Sequence, residues 1–182
     1  MDKSEGGFSV ELKKYEAWRK RLASSQLRRR EELPELNLYI DQLIAVINDR
    51  CASLGVSPIT KSMINNYVKK GVIMAPVKKK YSRYQVAAVM VIALLKNIYP
   101  LTAIKEALDQ LTINDYPQAT YNRFVEHFNA LLLDETAPQG NVNPANDELL
   151  RLAAQTAYQR MLSTKLLEEM KRQQQPVEVK KG

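Results

Sequence analysis

The ten residues 86–95, VAAVMVIALL, carry no polar side chain. A helix that is apolar on every side is stable only where other elements cover it all round. The run is about half as long as the roughly 20 residues a membrane helix needs. It therefore predicts a buried central helix and a fold that wraps it. Its start is marked, because Ser82 with Gln85 three residues on reads as a capping box. A chain of 182 residues is long enough to supply the wrapping.

The remaining periodicity is also helical. Residues 8–30 predict a solvated helix packed by a stripe of Phe8, Leu12, Tyr15, Trp18 and Leu22, ending in Arg28–Arg30 before Pro34. Residues 35–53 predict a second helix, with Leu36, Ile40, Leu43, Ile44, Ile47 and Cys51 on one face. Cys51 continues that stripe and reads as a buried, inert thiol. Thr60 suits an N-cap and Gly71 a C′ position, so a short helix is expected between them. Met63, Ile64, Tyr67 and Val68 would face inward there. Residues 71–81 favour extended structure, broken by Pro76, with three lysines near the return strand. Pro100 opens a helix with Leu101, Ile104, Leu108 and Leu111 inward. A further helix is expected over 118–134 and a loop over 136–146. Asn143 and Pro144 then open a last helix to about Lys171. Its stripe, from Leu150 to Met170, suits the preceding helix or a second copy of itself. The tail QQQPVEVKKG is expected to be disordered.

Charge is unevenly placed. The net charge is +7, yet residues 50–105 hold ten basic residues and no Asp or Glu. Such a concentrated positive field is what a polyanion selects for. One cysteine, one histidine and six glycines exclude disulfide frameworks, multi-Cys or His-rich metal sites and glycine-rich phosphate loops. No arrangement of residues suggests an enzyme, and no cofactor is expected. His127 reads as a structural histidine, and the adjacent Glu168 and Glu169 as solvated. The N-terminus MDKSEGG has no signal-peptide core, so a reduced, cytoplasmic setting is expected.

The order helix, helix, basic ribbon, buried helix, helix reads as a helix-turn-helix followed by a wing. A major groove admits one helix, whose polar side chains meet base edges, while lysines hold the phosphates. The residues that fit are Thr60, Ile64, Tyr67, Lys70 and Gly71, then Lys80, Tyr81, Ser82 and Val86, then Tyr99, Leu101, Ile104 and Leu108. In this order they resemble the MerR type of winged helix. TKSMINNYVKKGVI followed by PVKKKYSRYQVAAVMVIALLK is more closely similar to a bacterial family known as a domain of unknown function (number eighteen thirty-six). That resemblance spans roughly 36–112 and implies a transcription regulator. Asn65 stands where MerR domains carry Arg, and Val77, Lys78 and Lys79 stand where they carry Gly-Tyr-Arg.

The expected fold is mainly all-α, a MerR-like winged helix-turn-helix with a small β-wing between flanking helical regions. The expected division is an N-terminal helix and linker over 1–34, a DNA-binding domain over 35–112, a dimerisation or effector region over 113–172, and a tail over 173–182. Recognition helix 60–70 would enter the major groove, with Ser62, Asn65 and Asn66 at base edges. Lys61, Lys69, Lys70, Lys78, Lys79, Lys80 and Arg83 would contact phosphates, the wing being 72–81. Tyr67 and Tyr81 would contact sugar-phosphate or pack between helix and wing. The expected partners are double-stranded DNA and a second copy of the chain, with no membrane. The alternative is a protein-interaction module that turns the same basic face to an acidic partner.

Overall fold

The computed structural model describes the backbone of residues 5–173 and the side chains of residues 10–172. Phe8 and the tail beyond Gln173, both subjects of expectation, lie outside the described side chains and residues. Seven α-helices and one two-stranded antiparallel sheet make up the described chain. In order these are α1 (Glu5–Arg21), β1 (Leu38–Tyr39), α2 (Ile40–Leu54), α3 (Lys61–Lys69), β2 (Lys80–Tyr81), α4 (Arg83–Leu95), α5 (Leu101–Asn114), α6 (Pro117–Leu133) and α7 (Pro144–Gln173). No helix among them is long and apolar enough to cross a membrane.

The apolar run becomes α4, and nine of its residues are buried, which requires cover on all sides. That cover comes from α2, α6, α7 and a short 3₁₀ turn at Arg30–Glu32. Gln85 Oε1 accepts the Ser82 amide at 2.7 Å, so the capping box forms as the sequence predicts. Each large side chain buried here contributes about 1.5–3 kcal/mol of transfer free energy. This helix is the axis of the single hydrophobic core.

The first helix is shorter than expected. It stops at Arg21 rather than running to residue 30. Ser24 Oγ donates to the Arg21 carbonyl at 2.7 Å, which competes with helix continuation. Beyond it the chain becomes a strap along α6. Asn129 both accepts from the Leu27 amide, at 2.8 Å, and donates to its carbonyl, at 2.9 Å. Asn122 Oδ1 accepts the Arg30 amide at 2.8 Å, and the Tyr121 hydroxyl donates to the Arg28 carbonyl at 2.9 Å. The strap thereby drops Leu27 and Leu33 into the core.

The second helix also starts later than expected. Residues 35–39 are not helical, and Leu36, expected on the inner stripe, is 81% exposed. Leu38 and Tyr39 instead pair with Tyr81 and Lys80. Gln42 Oε1 accepts the Tyr39 amide at 2.9 Å and sets the helix start there. The ladder partner of Lys80 and Tyr81 therefore lies before α2; of Val72, Ile73, Met74 and Val77, which the sequence suggested as the opposing strand of a short hairpin, Val77 alone meets them, through one antiparallel bridge to Lys80.

Helix α6 is wrapped almost as fully as α4, and it buries polar side chains as well. Arg123 and His127 both reach Asp147 Oδ1 at 2.6 Å, from Nε and Nε2 respectively. Arg123 also donates to Glu126 at 3.0 Å and to the Pro138 carbonyl at 2.6 Å. His127 is buried, as expected, with its Nε2 on Asp147. A Cβ on Gly140 would collide with the Arg123 guanidinium, which its hydrogen bonds hold in place, so glycine is what lets the 136–142 loop pass. Helix α7 lies along α6 and α1, and its stripe from Leu150 to Met161 is consumed inside the chain. Met170, expected on that stripe, is 39% exposed. Glu169 corrects another expectation, being only 5% exposed. Lys165 meets it at 2.8 Å, and the same ammonium sits 5.8 Å above the Trp18 ring, so α1 covers this part of α7.

Candidate nucleic-acid interface

Helices α2 and α3 meet through a turn that side chains hold from both sides. Asn48 accepts from the Ile59 amide at 2.8 Å and donates to the Ile59 carbonyl at 2.9 Å. A second tie comes from the end of α4, where Lys96 Nζ donates to the Ser57 carbonyl and hydroxyl at 2.7 Å each. Lys96 is therefore committed to the fold, although it belongs to the acid-free segment. The turn delivers Thr60, whose Oγ1 accepts the Met63 amide at 3.2 Å. This is the expected N-cap. At the other end Gly71 has φ +65°, the left-handed backbone that its C′ position needs.

The inner face of α3 is Ile64 and Tyr67, with Val68 half-buried. Met63, expected inside, is 36% exposed. The outer face presents Lys61, Ser62, Asn65, Asn66, Lys69 and, at its C-cap, Lys70, all exposed. Among the described residues none of these six side chains makes a hydrogen bond or ion pair. They are aimed at solvent with their donors and acceptors free.

The chain leaves α3 through Val72 and Ile73, whose amides bond back to the Tyr67 carbonyl. Gln85 Nε2 then holds the Met74 and Ala75 carbonyls at 2.8 and 3.2 Å, which ties the returning segment to the start of α4. A tight hairpin follows. Val77 and Lys80 exchange backbone hydrogen bonds at 3.1 and 2.9 Å. The two residues between them, Lys78 and Lys79, have φ +48° and +63°. Two consecutive positive φ values mark the I′ type of hairpin turn, which favours Asn-Gly. Here it is made of lysines, both exposed.

The other expected contacts divide. Lys80 is half-buried, with its ammonium 5.0 Å above the Tyr39 ring. Arg83 is half-buried, and its Nε makes a long contact of 3.5 Å with the Pro34 carbonyl. Tyr67 and Tyr81 are 5% and 3% exposed, and burial pushes both hydroxyls above their ordinary pKa. Of the two roles the sequence left open for them, packing is the one observed; neither ring is placed to meet a phosphate. Sequence reasoning missed Asn48, Gln85 as the anchor of the hairpin, and Tyr39, which is 52% exposed beside Lys80. Only Gln85 carried a signal, through its capping box.

Electrostatically the region is simple. Of the ten basic residues in 50–105, only Lys105 makes an ion pair among the described residues, with Asp109. Elsewhere basic side chains pair with acids both within their own helix, as Arg151 does with Glu148 at 2.6 Å, and across the fold, as Arg29 does with Glu126 at 2.9 Å.

The family model described as Domain of unknown function (DUF1836) matches residues 28–124, more than half of the chain. The matched span begins in the strap and ends at Phe124 in α6, so it contains Arg28 and Arg30 together with the Tyr121 and Asn122 side chains that hold them. No curated protein and no solved structure matches the chain. The chain belongs to the DUF1836 family.

Proposed function

We propose that the protein is a sequence-specific, double-stranded DNA-binding transcription regulator of MerR-like winged helix-turn-helix design. Helix α3 is read as the recognition helix, and the hairpin at Lys78–Lys79 as the wing. The observation that carries this reading is the set of unpaired, outward lysines on two adjacent elements within an acid-free segment. Free Asn65 and Asn66 amides beside them have the donor–acceptor pair that reads adenine in a major groove. The lysine turn adds a second, independent support. Left-handed backbone costs a non-glycine residue roughly 1–2 kcal/mol. Lysine at two such positions contradicts local preference, and such contradictions gather at functional sites.

The mechanism follows from these roles. Lys61, Lys69, Lys70, Lys78, Lys79 and Lys80 neutralise phosphates and release counterions. Asn65, Asn66 and Ser62 meet base edges. Tyr67 and Tyr81 set the angle between helix and wing from within the core. Binding as a homodimer would place two recognition helices on successive turns of the duplex.

The test is the salt dependence of duplex binding for Lys78→Ala/Lys79→Ala/Lys80→Ala beside Asn65→Ala. The triple variant should lower the log–log salt slope by about three, and Asn65→Ala should change sequence preference while leaving the slope in place. A slope unchanged in the triple variant overturns the wing assignment. Binding to an acidic peptide without any duplex binding would assign the same face to a protein partner instead.

A further inference from the structure

Two apolar cavities share a wall made by Val91, Leu108, Leu111, Phe124 and Leu150. One, of about 70 Å³, opens beside the strap, where Ala87 and Ala88 of α4 leave room. The other, of about 310 Å³, opens between α5 and α7. No charged side chain lines the larger cavity. A single one lines the smaller, and it is Arg30.

Arg30 is half-buried and makes no ion pair among the described residues. Its side chain makes one hydrogen bond there, from Nη1 to Gln118 Oε1 at 3.1 Å. The adjacent Glu31 carboxylate is held by Gln118 and Asn122, at 2.6 and 3.1 Å, and does not line the cavity. Tyr84 lines it too, and its hydroxyl has no hydrogen-bond partner among the described residues. Small-molecule sites combine an apolar lining with a few polar groups that orient the ligand. An apolar cavity with one unpaired guanidinium at its edge therefore suits an amphipathic anion. The guanidinium fork matches a carboxylate bidentately, and its single positive charge balances one negative charge. A phosphate monoester carries nearly two and would need a second cation, which the lining lacks.

Helix α5 forms a side of both cavities and is held by hydrogen bonds only at its far end. There Asn146 Nδ2 donates to the Leu111 carbonyl at 3.0 Å, and Asp115 accepts the Asn143 amide at 2.9 Å. Along the rest of α5, apolar packing is what an entering chain displaces. We infer that the Arg30 cavity binds a monocarboxylate with an apolar acyl chain. The carboxylate sits on Arg30, and the chain runs against the shared wall toward the α5–α7 cleft. The inference goes beyond the duplex-binding reading and stands without it.

The experiment is isothermal titration calorimetry of the full chain, without nucleic acid, with sodium octanoate, butyrate and octanol. Octanoate should bind once per chain with a dissociation constant of about 100 µM. Each buried methylene is worth about fourfold, so butyrate should bind about 30-fold or more weakly than octanoate. Octanol keeps the chain without the charge and should bind about tenfold or more weakly. Arg30→Gln should bring octanoate down to the level of octanol and leave octanol itself unchanged, a pattern that misfolding does not produce. Ala88→Leu fills the cavity without altering charge and should weaken both. A wild type that takes up no octanoate overturns the inference. Octanol binding as tightly as octanoate overturns it in favour of a neutral apolar ligand. Octanoate uptake that Arg30→Gln leaves unchanged overturns it as attraction to the +7 surface at large.

Discussion

At the scale of single residues, the fold is held by side-chain amides that pair with backbone far away in sequence. Asn48 and Asn129 each hold both the N–H and the C=O of one residue, Ile59 and Leu27. Each replaces a missing ladder partner where the chain is neither helix nor sheet, and so avoids the cost of a buried orphan group. Asp147 plays the ionic counterpart. Its hydrogen bonds from Arg123 first, and from His127, hold its pKa down at about 2. A carboxylate lowered in the folded state stabilises the protein above its unfolded pKa of about 4, and this contribution disappears as pH falls toward 2. Its side chain is 34% exposed, so solvent screening limits the contribution to about 1 kcal/mol. Asp147→Asn should therefore melt below the wild type at pH 7, and the gap should close between about pH 4 and about pH 2. A gap that is the same at both ends of that window would contradict the ion-pair account.

At the scale of elements, the hairpin lets folding be tested apart from the proposed binding. Lys78→Asn/Lys79→Gly supplies the residues that two positive φ values favour. The variant should be about 1 kcal/mol more stable than wild type in urea titration, yet its duplex binding should lose about two units of salt slope. Lower stability in this variant would contradict the turn geometry, and an unchanged slope would contradict the role of the lysines. The elements legible in the sequence were those specified locally: the Thr60 cap, Gly71, the Ser82–Gln85 box and the all-apolar α4. The misread boundaries were decided by distant partners. Helical periodicity continues past Arg21 through Leu22, but Asn122 and Asn129, about ninety to a hundred residues away, capture the backbone there. Leu38 and Tyr39 carry no strand signal of their own; a two-residue ladder with β2 makes them a strand. Glu169 looked solvated as one of two adjacent glutamates that face apart on a helix, and only the packing of α1 over α7 buries it.

At the scale of the molecule, the polar strap and α6 close over the same core that α2 and α4 share, so the basic elements stand on a rigid base. Of the candidate interface, the outward α3 residues and the turn lysines were legible, because exposure follows from the opposite inner stripe. The withdrawal of Tyr67 and Tyr81 was not, because an aromatic beside lysines suits a core and a phosphate surface equally well. The central claim is that this base presents a duplex-reading face. Its most direct measurement selects binding sites from fragmented genomic DNA and titrates the best site and a scrambled one against salt by fluorescence anisotropy. With six lysines engaged, the log–log slope should be about −5, and the selected site should be preferred about a thousand-fold. Absence of binding to either duplex at low salt would contradict the account.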